Sequence, residues 1–150
     1  MNPLIRPWRQ LFDFSGRATR TEYLLFHLTA FAVCFVIEFL IGLILVGIAL
    51  ATGAASGRPA DNPAMGIVTG ISLLILFVVM LIAHFAIGVR RLHDHGEPGI
   101  KYLLSFIPFI GWIFYLMMMF AAGNDDENDY GPNPRYPDGV PHDELGGVFS

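Results

Sequence analysis

"MGIVTGISLLILFVVMLIAHFAIG" (residues 65–88) runs directly into "VRRLHDHGEPG" (residues 89–99). The first stretch contains 24 residues without one Asp, Glu, Lys or Arg. A bilayer crossing takes about 20 apolar residues, because each adds 1.5 Å of helix toward a hydrocarbon core of ~30 Å. Residues 65–89 therefore read as a transmembrane helix. The two arginines, two histidines and aspartate that follow mark its polar end.

Two further stretches have the same character. Residues 23–51 carry one charge, Glu38, and residues 100–122 carry one, Lys101 at the mouth. Across the 150 residues only 15% are charged, against 54% hydrophobic, where a soluble chain averages about 25% charged. No remaining piece is long enough to bury a soluble core. The expectation is an all-α membrane protein with three transmembrane helices (about 23–51, 65–89 and 100–122), preceded by a short interfacial amphipathic helix. Residues 1–122 form the membrane domain and 123–150 an acidic, Pro- and Gly-rich polar tail, extended or disordered. The first apolar run is too long for a signal core and reads as an uncleaved anchor. Cys34 is the sole cysteine, so no internal disulfide is possible.

In "FIPFIG" (residues 106–111) Pro108 removes a backbone hydrogen bond, so the third helix is expected to kink there. The alternative is a re-entrant hairpin. The basic residues set the orientation. Arg6, Arg9, Arg17 and Arg20 lie in the head and Arg90, Arg91 and Lys101 around the second loop; only Arg58 and Arg135 fall elsewhere. With three crossings this places the amino terminus in the cytoplasm and the carboxyl terminus in the periplasm of a bacterial inner membrane.

In the head, Leu4, Trp8, Leu11 and Phe12 fall at helical spacing, as in a helix lying in the lipid interface. "TRTE" (residues 19–22) fits a capping box that starts the first span. The loop at residues 52–63 reads as a flexible connector. Gly96, Pro98 and Gly99 force a tight turn after the second span.

The candidate functional residues are polar groups in or beside the spans. His27, Cys34 and Glu38 share a helix face, and His84 belongs to the second span. Intramembrane ionisable groups serve either as polar glue between helices or as a proton or ion path. Asp94 is placed to hold Arg90 or Arg91 by a local salt bridge, which would orient a guanidinium toward phosphate. No metal set is recognisable, since "HDH" has no assisting cysteine. The tail does not complete a calcium loop, because Pro137 stands where a bidentate Glu belongs.

Three pieces in order, "FSGRATRTEY", "RRLHDHG" and "GNDDENDYGPNP", resemble the bacterial inner-membrane domain-of-unknown-function family 805. The resemblance covers roughly residues 14–134. Gly16, Arg17, Arg20, Glu22 and Tyr23 match the first motif, and Arg90, Arg91, Leu92, His93 and Asp94 the second. Asn128, Tyr130, Gly131, Pro132 and Pro134 match the third. Leu24 and "EPGIK" depart from aromatic positions of the family. The resemblance implies a location and a set of motif residues, with no reaction attached. A bare membrane collar needs positive charge but no fixed acids or histidine. Arg17, Arg20, Arg90, Arg91, His93 and Asp94, with Glu22 orienting, are therefore expected to form a site for an anionic lipid headgroup.

The expected role is a small integral membrane module acting by association, as a homo-oligomer or with another membrane protein, with lipids as partners and without nucleic acid or cofactor. A transporter using Glu38 and the span histidines is the alternative. An enzyme on phosphorylated lipid, with His93 as base, is a third reading, although no nucleophile, metal set or phosphate-binding glycine loop is visible.

Overall fold

The computed structural model describes residues 2–51 and 63–136. It is helical throughout its regular elements: α1 (Arg6–Arg9), α2 (Arg20–Ala51), α3 (Pro63–Asp94), a 3-10 helix (Gly99–Phe106) and α4 (Ile110–Phe120). The chain divides into two compact units, one made of residues 27–82 and the other of residues 1–26 with 83–150. The connector at residues 52–62 and the tail beyond 136 lie outside the described residues.

α2 and α3 have 32 residues each and are long and apolar enough to cross a membrane. At 1.5 Å per residue each is about 48 Å long, more than the hydrocarbon core requires. α2 begins at the expected capping box. The Thr19 hydroxyl accepts from the Glu22 amide at 3.2 Å, while Glu22 Oε2 accepts from the Thr19 amide at 2.9 Å. α3 continues five residues past its apolar run to Asp94, and the chain reverses at Gly96, whose φ is +72°. The Gly96 amide donates to the His93 carbonyl and the Glu97 amide to the Leu92 carbonyl, each at 3.0 Å. This reversal satisfies two orphan carbonyls, and it needs a residue that tolerates the left-handed region.

The unit of residues 27–82 is apolar and outward-facing. Phe31, Leu28, Phe35 and Phe77 are more than half exposed, the pattern of side chains meant for lipid. Its less exposed positions recur every three or four residues and include His27, Cys34 and Glu38 on α2 and Thr69 and Ser72 on α3. The shared face expected for those three α2 residues is present. Ser72 donates to the Thr69 carbonyl at 2.9 Å, and its Oγ lies 3.4 Å from Glu38 Oε2.

The other unit corrects the sequence expectation in three places. First, residues 100–122 are not one kinked span. The 3-10 helix has eight residues and α4 eleven, each about 16 Å long and half a crossing. Pro108 explains the break: it drives Ile107 into an extended conformation, φ −80° and ψ 121°. Phe109 then turns through φ +66°. Gly111 lets α4 return past the 3-10 helix, where a methyl group would overlap the Ser105 carbonyl. Hydropathy favoured three spans because it counts side chains and ignores the backbone.

Second, head and tail are joined directly. Arg17 in the head donates to backbone carbonyls of Asn124, Asp126 and Gly131 in the tail. Third, residues 123–136 are folded rather than extended. Asn128 and Gly131 exchange backbone hydrogen bonds across a turn, and Asn133 ties the Asp125 carbonyl at 2.8 Å. In the head, the amphipathic helix expected from Leu4 to Phe12 is a single turn at Arg6–Arg9. Trp8 packs on Phe26 with ring centroids 5.4 Å apart, while Leu4, Ile5 and Phe12 are exposed.

Candidate functional site

All three sequence motifs converge in the unit of residues 1–26 and 83–150, around Asp94. This carboxylate is 2% exposed and accepts from two guanidinium groups, Arg17 Nε at 3.0 Å and Arg91 NH1 at 2.5 Å. The i,i+3 bridge to Arg91 was readable from spacing. The bridge to Arg17 spans 77 residues of sequence and was not.

The remaining donors of both arginines go to backbone carbonyls. Arg91 Nε donates to Met118 O at 2.8 Å and Arg91 NH2 to Ala121 O. These belong to the last turn of α4, whose carbonyls have no partner within the helix and attract positive charge. Arg17 serves the tail turn in the same way, through Asn124, Asp126 and Gly131. The end of α3 is served from both directions: Ala18 N donates to Arg90 O at 2.9 Å, Asn124 N to Asp94 O at 2.7 Å and Asn128 Nδ2 to His93 O at 2.8 Å. Gly123 passes so close to Asp94 that a methyl group there would overlap the carboxylate.

This geometry revises the role expected for the arginines. The side chains of Arg17 and Arg91 are 1% and 0% exposed, and their donors are spent inside the protein. Neither offers a free face to a lipid headgroup. Arg90 is buried too and bonds Gln10, through Oε1 and through the backbone carbonyl at 3.1 Å. Arg20 is exposed. Glu22 does not orient the Asp94 group; it pairs with Arg6 at 3.1 Å besides capping α2. His93 donates from Nδ1–H to the Gly16 carbonyl, 3.1 Å away, with its ring stacked on Tyr130 at 3.8 Å and 4°. At 9% exposed, it is poorly placed to serve as a base for an outside substrate.

His84 belongs to a second, aromatic group. Tyr102 OH lies 2.7 Å from His84 Nε2 and 3.3 Å from Tyr23 OH, and His84 also stacks on Tyr115. Gly88 makes room for the Tyr102 ring, with which a methyl group would collide.

Sequence reasoning missed Arg6, Gln10, Asn124 and Asn133. Arg6 and Gln10 pair with Glu22 and Arg90, which lie 16 and 80 positions away, and Asn124 and Asn133 act through backbone carbonyls; neither kind of partner shows in local spacing. Arg6, Gln10 and Gly16 from the head and Tyr130, Pro132 and Pro134 from the tail line a cleft of about 370 Å³. His95 sits just past α3 with Nε2 buried and without a hydrogen-bond partner among the described residues. Burial, then repulsion by Arg91, lowers its pKa against the opposing pull of Asp94 and Glu97. Among the described residues no group of three His, Cys, Asp or Glu side chains could hold a metal ion.

Comparison with known proteins gives one family. The model of the family described as "Protein of unknown function (DUF805)" matches residues 11–132. Inner membrane protein YhaI of Escherichia coli K12 is 33% identical over 82% of this chain and 86% of its own length. Inner membrane protein YhaH of the same organism is 34% identical over 90% of this chain and 98% of its own length. No solved structure matches.

Proposed function

The chain belongs to the DUF805 protein family, and from that premise we propose that it is an integral inner-membrane module that acts by association rather than by catalysis. α2 and α3 cross the bilayer, residues 99–120 enter and leave it on one side, and both described ends of the chain face the cytoplasm. Eight of the nine basic residues, all but Arg58, belong to the unit of residues 1–26 and 83–150, and basic segments stay inside. The names of YhaI and YhaH support the membrane. The half-length of the 3-10 helix and of α4 supports re-entry, since non-helical backbone at membrane depth is tolerated where protein covers it.

The observation that carries this reading is the closure of the Arg17–Asp94–Arg91 cluster. Its charges and donors are consumed in fastening head, tail, α3 and α4 together, which leaves a clamp and no reacting group. Partners are then lipids and other membrane proteins, including further copies of the chain. Fusions at the carboxyl terminus test the topology. Green fluorescent protein should fluoresce there and alkaline phosphatase should be inactive; the reverse pair would restore a third crossing.

A second reading, a proton- or ion-coupled path, is favoured by Glu38, whose Oε1 is buried without a partner among the described residues. It requires pH-dependent flux in proteoliposomes that Glu38→Gln abolishes.

A further inference from the structure

We propose that the cleft between head and tail binds a phosphate-bearing anion through Arg6, Gln10 and Tyr130. The argument is an account of donors. Of the groups lining the cleft, Arg17 and Asn133 are committed: Arg17 to Asp94 and three carbonyls, Asn133 Nδ2 to the carbonyls of Asn124 and Asp125. Gln10 Oε1, the acceptor of its amide, is taken by Arg90.

What remains is of one kind. The Gln10 amide nitrogen and the Tyr130 hydroxyl have no hydrogen-bond partner among the described residues. Arg6 uses NH1 on Glu22 and one bond of NH2 on the Arg17 carbonyl, which leaves Nε and a second NH2 proton. Among the described residues, the cleft is thus lined by unspent N–H and O–H donors and by no Asp or Glu. Glu22 offsets the charge of Arg6 from outside the lining, so hydrogen bonding rather than bare charge must supply the affinity.

Three donors reaching in from separate side chains suit the tetrahedral oxygens of a phosphate group better than the two coplanar oxygens of a carboxylate. The cleft volume of about 370 Å³ exceeds a lone phosphate, and Pro132 and Pro134 give an apolar wall for an organic substituent. A lipid headgroup and a soluble phosphate ester share this chemistry. The lipid source rests on the proposed position of this unit at headgroup level; the cleft itself does not.

The test uses the full chain in a non-ionic detergent and follows its unfolding temperature. Inorganic phosphate, glycerol 3-phosphate and short-chain phosphatidylglycerol are titrated, with sodium chloride at equal ionic strength as the control. A phosphate-bearing compound should raise the unfolding temperature saturably where chloride does not. Tyr130→Phe keeps the ring on His93 and deletes one hydroxyl. It should weaken that binding at least about tenfold, the usual loss for a hydrogen bond to a charged group. Arg6→Gln should weaken it further, and Tyr130→Phe decides the matter should Arg6→Gln unfold. Saturation by phosphatidylglycerol alone identifies a headgroup, and saturation by the soluble compounds a free phosphate ester; either sustains the proposal. No saturable shift with any of the three, or equal affinity in Tyr130→Phe, overturns it. That failure would leave the topology untouched, because the fusions read it separately.

Discussion

The two units of this protein handle polarity in opposite ways. The described parts of residues 27–82, 27–51 and 63–82, hold a single charge, Glu38, expose aromatic and aliphatic side chains, and keep His27, Cys34 and Glu38 on one face of α2 and Thr69 and Ser72 among the less exposed positions of α3. Residues 1–26 with 83–136 bury Arg17, Arg90, Arg91, Glu22 and Asp94 and bind them to each other and to carbonyls. In the first unit regular helices satisfy the backbone, so side chains are free to meet lipid. In the second the helices stop short or end in turns, and side chains must do what the helix no longer does. Buried charge here is a repair for interrupted backbone.

The sharpest way to break this contrast is Asp94→Ala. Two guanidinium groups would lose their counter-charge inside the protein, a loss of about 3–5 kcal/mol, read as unfolding of the detergent-solubilised chain at much lower temperature. Ser72→Ala, in the apolar unit, should cost only about 0.6 kcal/mol, as interhelical hydrogen bonds within membranes do. Equal costs would erase the distinction.

Next in size is Gly123→Ala. The added methyl meets the Asp94 carboxylate, and such overpacking costs about 1–3 kcal/mol; chemical denaturation of the two proteins side by side measures it. Smaller again is Thr19→Ala, which removes half of the capping box for about 1 kcal/mol and should show as faster hydrogen exchange confined to the first turn of α2.

The smallest expected effect is the pH response of His95. Its folded pKa lies below the ordinary 6.5. The unfolded chain therefore takes up a proton first as pH falls, so stability rises with pH across that window. The penalty is absent above about pH 6.5 and grows as pH falls from there through the folded value. Unfolding temperature should drop on acidification in the parent and less so in His95→Gln; parallel curves would remove His95 from the account.

What the sequence disclosed follows from the same physics. The capping box of Thr19 and Glu22 and the Arg91–Asp94 bridge are local, three residues apart, and were legible from spacing. So were α2 and α3, because a run of 24 uncharged residues has few other uses. The third apolar stretch is interrupted where Pro108 and Gly111 stand, and composition alone does not tell a crossing from a return. The partners of the expected site residues were hidden for a different reason. Arg17 and Arg91 looked available since their main partners are carbonyls, which every residue has and no residue type announces. Arg6 and Gln10, which the spacing placed only on the polar face of the head, line the cleft.

Arg17 is bonded to carbonyls that lie 107 to 114 positions later in the chain. During synthesis it emerges well before its acceptors. The nascent polypeptide must therefore insert both long helices while this guanidinium is still solvated or held by phospholipid. Only when the ribosome has delivered residue 131 can the knot be tied. A prematurely terminated chain, even one with both crossings intact, would display unmet cations at its boundary, a chemical mark by which proteases could tell an unfinished copy from a completed one.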